Sequence, residues 1–550
     1  MVIRILAFLV LVGLSFAPQC SYAGNYDAAF GAMHDFYAAR EFKPVWTKGD
    51  QFTDDAKALP SILSMSRAHG LDPQTYGVDR MQTMLTTEAP KDQSGWQQAE
   101  ILWTYNLWRY ASDLLGQKLD AATLGSVIQG DIEDNLADLA PDTPLYKAMQ
   151  TRLAQIDSQE TANAEAAKTG QVVPAPEMIN FKRTFKPGMS SPAVPLLRAR
   201  MLEYGAVPVA VDATPDVANL YDEALVKAVQ AFQVEYGLKN DGAIGGVTLG
   251  ILNRSAAEER RQLVANLQRL REPHRRARED RRIEVSIARF LLTAYNDNQP
   301  ALSMPVVVGQ PKRQTISFRT EITGVRLNPT WTVPKTIRNE DFIPQLTKDP
   351  AKLVRRHGLK FTKGGKSFDP TMIDWTQVTP QEMAQVSMWT PAGEGNPLGF
   401  YRVIMDNPYD IYLHDTNHRD LFAGSFRALS SGCVRVGNPE ELTNFILQGT
   451  EGWDPQKTKD FVKKGQTKDV VIASKIPIYL DYMTAWFNDR AQLVLGHDVY
   501  ALDKPRYDNL VNNVLTTQRD AQKLLDQAAN ILQPNFKEAR QDTVLNTTSN

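Results

Sequence analysis

The spacing of apolar residues changes along the chain and separates a helical first part from a strand-rich later part. From residue 24 to about 190, segments such as Gln97–Leu115 and Tyr146–Ile156 place apolar residues three and four positions apart, as on one face of a helix. From Arg282 onward, shorter runs alternate apolar and polar residues, which is typical of strands. The pattern predicts an α+β protein with several domains.

Between these two parts, residues 186–254 have the pattern of a compact three-helix unit. Its predicted helices are Ala193–Tyr204, Glu223–Tyr236 and one beginning at Thr248. The segment before it, Thr161–Pro176, is rich in small and polar residues, which predicts a loop or linker. The segment after it, residues 255–282, is predicted to be a linker whose basic cluster Arg271–Arg282 is solvated.

The strand-like runs are interrupted once by a long charged segment. Asn339–Gln385 has partly helical texture, and such an interruption is too long for a hairpin, so we interpret about 339–395 as an inserted lid. Residues 506–550 are polar, with helical spacing in Gln518–Leu532. The predicted strand regions are Arg282–Tyr295, Ala301–Val308, Ser317–Pro334, Phe400–Met405, Ile411–His414 and Val470–Leu480.

The first residues have the pattern of a secretory signal. Arg4 supplies a positive charge, Ile5–Ala17 is an apolar run too short to span a bilayer comfortably, and Ser21-Tyr22-Ala23 fits a cleavage site. We expect cleavage after Ala23, although an uncleaved anchor is the alternative. The mature protein is then expected in the periplasm, with no membrane span.

Charge and cysteine usage narrow the function. The 550 residues carry a formal net charge of -2, which argues against a nucleic-acid partner. There are two cysteines, and cleavage would remove Cys20 and leave Cys433 alone. A single thiol in an oxidising compartment is an oxidation hazard unless chemistry needs it. A buried, inert cysteine is the competing interpretation.

The sequence around Cys433 provides the parts of a cysteine acyl-transfer site. His414 ends a strand-like run and can act as the base that removes the proton from the Cys433 thiol. We expect the pKa of this thiol to be lowered. Gly432 permits a tight turn and, with Cys433, could offer N–H groups to an oxyanion, with Ser430 and Ser431 as supporting residues. Asp415 should point to the other strand face, so a backbone carbonyl is an equally good partner to orient the imidazole.

Other motifs give no cofactor or metal site. His418 lies four residues after His414, but the segment is predicted as strand end and loop, so we interpret it as a solvated residue. Gly365-Lys366-Ser367 resembles the end of a phosphate loop, yet Lys360 occupies the position that requires glycine. We expect no metal, no nucleotide and no cofactor.

The segment from His414 to Val436 resembles the active-site motif of the YkuD-type L,D-transpeptidases. The His and Cys are 19 residues apart, and Ser-Ser-Gly precedes Cys433, where many members carry His at the position of Ser431. The chain is similar to the large YcbB-like branch in four segments: Val285–Gly309, Leu327–Pro334, Asn407–His414 and Ile478–Asp503. Residues 186–254 resemble a small peptidoglycan-binding domain, with Gln233, Asp241-Gly242 and Gly245 at the expected places.

The resemblance implies a domain organisation. It gives a β-rich catalytic domain with an inserted lid, a helical scaffold domain and a peptidoglycan-binding-like domain. The expected boundaries are a signal peptide at 1–23, the scaffold at 24–185, the binding domain at 186–254, a linker at 255–282, the catalytic domain at 283–505 and a polar helical tail at 506–550.

The resemblance also implies a two-step acyl transfer on peptidoglycan stems. Cys433 would attack the amide before the terminal D-Ala of a tetrapeptide donor, and the side-chain amine of a second stem would resolve the thioester into a 3→3 crosslink. Arg435 would bind a substrate carboxylate or brace the loop, and Tyr412 and Trp331 are the other expected substrate contacts, although Trp331 could instead belong to a core. Carbapenem-type β-lactams would acylate Cys433.

Two other functions stay open. Water could resolve the same thioester, which would make the protein an L,D-carboxypeptidase or a crosslink hydrolase. The 186–254 unit would also suit a wall-binding scaffold protein in which Cys433 has no role. The expected partners are peptidoglycan and cell-wall synthesis proteins.

Overall fold

A computed structural model describes residues 26–171, 176–208, 213–275 and 278–532. The chain forms two compact units: the first takes residues up to Gln150, Leu270–Pro273 and those from Pro505 onward, and the second takes Thr151–Arg269 and His274–Lys504. The predicted signal peptide, with Cys20, lies outside the described residues. Within the described ranges, no helix is long and apolar enough to cross a membrane.

The first unit is helical, as the apolar spacing predicts. Its longest helix has buried residues on all sides, which is the pattern of a central core helix. Asp92 caps the start of that helix by accepting a hydrogen bond from the Gly95 N–H, and Gly116 ends it in the left-handed conformation. The elements here are α1 (Tyr26–Ala38), β1 (Thr47–Lys48), β2 (Gln51–Phe52), α2 (Asp54–Ser64), α3 (Val78–Thr86), α4 (Gln93–Leu115), α5 (Ala121–Ile128) and α6 (Ile132–Leu139).

The next helix corrects a sequence prediction. Helix α7 covers Pro144–Lys168, so the first half of Thr161–Pro176 is helical rather than a loop. The reason is composition: alanine is the best helix former, and its high content outweighs the scattered Thr residues.

Residues 186–254 form the predicted helical unit. Its helices are α8 (Val194–Arg200), α9 (Pro215–Ala218), α10 (Glu223–Glu235) and α11 (Gly246–Leu252), and only the short α9 was not expected. The buried Gln233 amide donates to the Ala243 carbonyl (3.0 Å) and accepts from the Gly242 N–H (2.9 Å), which fixes the turn between α10 and α11. Within the second unit, the Asn240 N–H also donates to the hydroxyl of Ser425, in the strand-rich region (2.8 Å).

The segment predicted as a solvated linker is ordered and paired. Helix α12 covers Ala256–Arg271, and of the described basic residues that follow it, Arg275 and Arg282 are buried and Arg278 and Arg281 are partly buried. Arg275 and Arg278 both form ion pairs with Asp481 (2.9 and 2.5 Å), and Arg278 also pairs with Glu284 (2.7 Å). The prediction of a solvated cluster is wrong because these carboxylates lie elsewhere in the sequence.

The strand-rich region contains a nine-stranded sheet in the order β13-β5-β14-β12-β11-β6-β15-β3-β4, and a further pairing of β4 with β5 closes it on itself. Closure leaves fewer exposed strand edges. The strands are β3 (Arg282–Ser286), β4 (Leu291–Asn296), β5 (Gln299–Gly309), β6 (Phe318–Leu327), β7 (Trp331–Thr332), β8 (Lys360–Lys363), β9 (Lys366–Phe368), β10 (Val386–Thr390), β11 (Tyr401–Met405), β12 (Leu413–His414), β13 (Ala428–Ser430), β14 (Val434–Val436), β15 (Lys468–Asp481), β16 (Ala485–Phe487) and β17 (Leu493–Leu495).

The predicted interruption forms a subdomain with its own core. Strands β7-β10-β8-β9 make a four-stranded sheet, which packs with helices α13 (Lys335–Ile337), α14 (Ile343–Leu346), α15 (Pro350–His357) and α16 (Pro380–Ala384). We call this segment, residues 331–390, the lid. Its buried side chains include Trp331, Phe342, Phe361 and Trp375, and Tyr412 of the main sheet packs against them.

The remaining helices follow β14 in the chain. Helices α17 (Pro439–Leu447) and α18 (Pro455–Lys464) come before β15, and both begin with Pro at a position where no backbone donor is needed. Helices α19 (Asp503–Asp526) and α20 (Ala528–Leu532) end the described chain and confirm the helical spacing seen in Gln518–Leu532.

Candidate active site

The strand register places His414 and Cys433 side by side. Strands β12 and β14 are parallel, with Leu413 opposite Val434 and His414 opposite Arg435. The Val434 N–H donates to the Tyr412 carbonyl (3.0 Å), so Cys433 lies level with Tyr412, one position before the histidine. The two residues that the sequence singles out therefore lie at neighbouring strand ends.

The turn before Cys433 is held by hydrogen bonds of its own. Gly432 has a φ of +118°, which L side chains rarely adopt. The Ser430 hydroxyl donates to the Cys433 carbonyl (2.6 Å) and accepts from the Gly432 N–H (3.2 Å). The Cys433 N–H finds no acceptor among the described residues, so it is the donor that remains for an oxyanion.

A second set of contacts fixes the other side of the turn. The buried Thr315 hydroxyl donates to the Gly432 carbonyl (2.7 Å) and accepts from the Gly309 N–H (2.8 Å). The Tyr500 hydroxyl accepts from the Thr315 N–H (3.1 Å) and donates to the Gly309 carbonyl (2.7 Å). Sequence reasoning missed Thr315 and Tyr500, and no local signal marks residues so far from the motif.

The Cys433 thiol is neutral in the resting site. Its sulfur lies 3.6 Å from the Asp410 carbonyl and also contacts the Tyr412 hydroxyl. Burial raises the pKa of the Cys433 thiol, and this outweighs Tyr412, Arg402 and Arg435, which lower it. The expectation of a lowered thiol pKa was therefore wrong for the resting protein.

The His414 imidazole is buried and oriented by a backbone carbonyl. Its Nδ1–H donates to the Asp415 carbonyl (2.5 Å), which leaves Nε2 as the proton acceptor. The Asp415 carboxylate instead accepts from the Phe400 and Thr416 N–H groups (2.9 and 2.7 Å). The carbonyl is thus the orienting partner, one of the two alternatives left open by the sequence.

Burial, Arg435 and Arg402 together lower the pKa of His414 to about 3, so the imidazole is uncharged at neutral pH. No hydrogen bond joins the imidazole to the Cys433 thiol in the part of the chain that the structure describes. Bonds between catalytic groups are often long before substrate binds, so the lack of this bond does not argue against a base and nucleophile at these positions.

The remaining predicted site residues have different surroundings. Tyr412 contacts both the thiol and the lid core. Trp331 is buried in that core, with its ring 6.1 Å from Phe342, so the structure gives it a packing role. Burial lowers the pKa of Arg435, whose Nε is buried without a hydrogen-bond partner in the described chain.

Ser431 is exposed, and its hydroxyl accepts a hydrogen bond from Arg313 (3.2 Å). The same guanidinium pairs with Glu340 (2.7 Å) and Asp341 (2.5 Å), at the start of the lid. Arg313 therefore connects the catalytic turn to the lid, which the sequence did not indicate.

The described residues contain no group of three or more His, Cys, Asp or Glu side chains arranged to hold a metal ion.

Comparison with known proteins identifies three regions. Residues 280–464 match the family model described as "L,D-transpeptidase catalytic domain", YkuD. Residues 31–129 match "Scaffold domain", and residues 190–252 match "Putative peptidoglycan binding domain".

A curated Haemophilus influenzae protein named "Putative L,D-transpeptidase" is 32% identical over 222 residues, which are 40% of this chain and 44% of that protein. The chain thus matches less than half the length of this relative. Two solved structures are also similar. A cysteine variant of the Enterococcus faecium L,D-transpeptidase is 14% identical over 37% of this chain and 50% of that one, with a TM-score of 0.18. A Xylanimonas cellulosilytica L,D-transpeptidase is 15% identical over 56% of this chain and 100% of that one, with a TM-score of 0.16. By its sequence match, the chain carries a catalytic domain of the YkuD L,D-transpeptidase family, together with a peptidoglycan-binding-type domain and a scaffold domain.

Proposed function

We propose that this protein is an exported peptidoglycan L,D-transpeptidase of the YcbB-like branch that forms 3→3 crosslinks through a thioester on Cys433. One observation carries the proposal: inside the matched catalytic domain, Cys433 follows a glycine with positive φ, its N–H has no acceptor among the described residues, and it lies beside the buried His414. A nucleophile, a base and an oxyanion donor in one place are the requirements of acyl transfer.

In the first step, the His414 Nε2 takes the thiol proton as sulfur attacks the carbonyl between the third and fourth residues of a tetrapeptide stem. The developing oxyanion accepts a hydrogen bond from the Cys433 N–H. The C–N bond then breaks, His414 returns the proton to the leaving amine, and D-Ala departs. The neutral imidazole is in the right protonation state to begin this sequence.

In the second step, the side-chain amine of another stem attacks the thioester carbon. The C–S bond breaks, and the proton lost by the amine passes through His414 to the departing sulfur. One amide is broken and one is formed, so the reaction needs no ATP or metal. The energy of the first amide is kept in the thioester.

The other domains give this chemistry its setting. The 186–254 unit would bind the wall, and within the second unit it is joined to the catalytic region through Asn240 and Ser425. The substrate places the protein in the periplasm, where cell-wall synthesis proteins would be its partners.

Mass spectrometry of the full mature chain with a disaccharide-tetrapeptide tests the proposal. Wild type is expected to form a covalent adduct on Cys433 and then a dimer that lacks one D-Ala. Cys433→Ala should form neither, and His414→Ala should slow both. His418→Ala is the matched control because His418 is an exposed histidine four residues away, and it should behave as wild type.

Two outcomes would replace the proposal. A Cys433-dependent tripeptide without dimer would mean that water resolves the thioester, as in an L,D-carboxypeptidase or crosslink hydrolase. A folded wild type that binds the wall without turnover, unchanged by Cys433→Ala, would mean a wall-binding scaffold protein.

A further inference from the structure

A row of basic side chains crosses the sheet beside Cys433. The register pairs Arg326 with Arg402 between β6 and β11, Arg402 with His414 between β11 and β12, and His414 with Arg435 between β12 and β14. Paired residues on neighbouring strands point to the same sheet face, and strands are about 5 Å apart. Three guanidinium groups and the imidazole thus share one face.

Of these three arginines, only Arg326 forms an ion pair with an acidic side chain among the described residues. Arg326 donates to both Asp469 oxygens (2.6 and 2.7 Å). The guanidinium groups of Arg402 and Arg435 form no hydrogen bond or close ion pair with any residue that the structure describes, and the Nε of each is buried without a partner. Asp469 and Asp420 act on Arg402 and Arg435, respectively, only through longer-range electrostatics. Arg402 is held by the Tyr412 ring, whose centre lies 4.2 Å from the guanidinium carbon.

Buried polar groups without partners are costly, and proteins normally avoid them. Elsewhere in this unit, the buried Arg269 is paired with Asp503 (2.5 Å). The Nε atoms of Arg198 and Arg281 are also buried without a partner, but these two guanidinium groups donate through their terminal nitrogens to backbone carbonyls. Among the described residues, Arg402 and Arg435 have no such bond through any guanidinium nitrogen. Arg402 and Arg435 each lower the pKa of the Cys433 thiol and of the His414 imidazole, so both guanidinium groups lie close enough to act on these two side chains electrostatically.

We infer that Arg402 and Arg435 together bind the free C-terminal carboxylate of the donor stem, on the residue that leaves. This inference rests on the proposed transpeptidase function. A guanidinium group binds a carboxylate through paired, charge-assisted hydrogen bonds, and a carboxylate between these two arms would satisfy both buried Nε groups.

His414 lies between Arg402 and Arg435 in the row, and this position favours the terminal carboxylate of the donor stem as the group that the two arginines bind. His414 must return a proton to the leaving nitrogen, and the carboxylate carbon of an amino acid lies two bonds from that nitrogen, about 2.5 Å away. A carboxylate held between the residues on either side of His414 thus brings the nitrogen to the imidazole and the scissile carbonyl toward Cys433.

Two consequences follow for specificity and catalysis. The site selects stems that end one residue beyond the cleaved amide, because a longer or amidated stem places no charge there. The bound carboxylate also offsets two positive charges beside His414, and this favours proton uptake by the imidazole once substrate is bound.

Calorimetric titration of the full mature chain carrying Cys433→Ala tests the inference without turnover. The probes are a disaccharide-tetrapeptide with a free C-terminus and the same compound as its C-terminal amide. We expect the acid to bind about 10- to 100-fold more tightly, which is the range for a charge-assisted pair. Adding Arg402→Gln or Arg435→Gln should reduce this ratio to below about threefold, and Arg402→Lys should give an intermediate ratio.

Arg326→Gln in the same background is the matched control, because it removes an arginine from the same row that already has a carboxylate partner. It should keep the acid-to-amide ratio of its parent. A ratio is measured within one protein, so a smaller folded fraction of any variant does not change it. Equal affinity of the parent for acid and amide would overturn the inference, whether or not wild type turns substrate over.

A third probe separates the two carboxylates that a donor stem can carry. A stem with lysine as its third residue keeps the terminal carboxylate but lacks the side-chain carboxylate of a two-carboxylate diamino acid. The inference requires that amidation, and not this replacement, abolishes the preference. The proposed function has a different readout: absence of a thioester on wild-type Cys433 would reject the transpeptidase and leave a tenfold acid preference standing.

Discussion

The glycine before the nucleophile allows a direct test of how the turn serves acyl transfer. Gly432 has a φ of +118°, and a Cβ added there would meet only the Gln314 and Arg313 carbonyls, at 3.7 and 3.9 Å. These are ordinary contacts, so Gly432→Ala introduces no steric clash. Its cost is the backbone conformation alone, about 1–3 kcal/mol for a side chain held in such a region.

The chain can avoid that cost by rotating the turn, which moves the Cys433 N–H away from the oxyanion position. An energy of about 1–3 kcal/mol corresponds to about a 5- to 150-fold smaller population of the competent turn. We therefore expect Gly432→Ala to release D-Ala from a tetrapeptide about 5- to 150-fold more slowly. Alkylation of the thiol by iodoacetamide needs no oxyanion donor and should stay within about twofold.

Gly130→Ala is the matched control. Gly130 also has a positive φ of +93°, has nothing within 4 Å of an added Cβ, and lies between α5 and α6. It should lose a similar amount of stability without any change in D-Ala release per folded molecule. D-Ala release by Gly432→Ala within twofold of wild type would refute the reasoning, as would an equal loss of rate in Gly130→Ala.

Three further predictions concern the groups around the turn. Thr315→Val removes the hydroxyl that joins Gly432 to Gly309 and leaves two buried backbone groups unpaired. It should lower the free energy of unfolding, measured in urea, by about 2–4 kcal/mol. Thr315→Ser keeps the hydroxyl and should lose less than half of that. Tyr412→Phe removes the hydroxyl that lowers the pKa of the Cys433 thiol but keeps the ring under Arg402. Iodoacetamide should therefore alkylate Cys433 more slowly in this variant than in wild type, and the reaction should need a higher pH. Faster alkylation than in wild type would contradict this role of the hydroxyl. Folding lowers the pKa of His414 from 6.5 to about 3, so the unfolded chain binds a proton at this residue first as the pH falls. The stability that the neutral imidazole contributes is complete above pH 6.5 and is lost between pH 6.5 and about 3. His414→Gln should therefore flatten the pH dependence of the free energy of unfolding in that window.

The sequence predicts what depends on local pattern. Alternation located the strands of the catalytic region, and helical spacing located α10 and the long α4. His414 and Cys433 could be identified because a strand-end histidine and a Ser-Ser-Gly-Cys turn are local signals. The structure places both at neighbouring strand ends. Their catalytic roles and the boundaries between domains stay predictions.

What the sequence did not predict depends on pairing between distant segments. Arg402 comes next to His414 through the β11–β12 register, and Thr315 reaches Gly432 across 117 residues. The basic residues after α12 look solvated in sequence because their partner, Asp481, comes about 200 residues later. A strand register decides such contacts, and a one-residue slip would turn each side chain to the other face.

The resting charges around Cys433 explain how a lone thiol can persist in an oxidising compartment such as the one we propose. Oxidation attacks the thiolate, and burial keeps the thiol protonated while His414 stays neutral. Beside these groups, the Nε atoms of Arg402 and Arg435 are buried without a hydrogen-bond partner among the described residues. Burial is the main cause of the low pKa of His414, and Arg435 and Arg402 add to it, so a carboxylate bound between the two arginines would offset the smaller, electrostatic part. In the proposed mechanism, substrate binding would therefore favour proton transfer from the Cys433 thiol to His414, and the thiol would become reactive only when its substrate is in place.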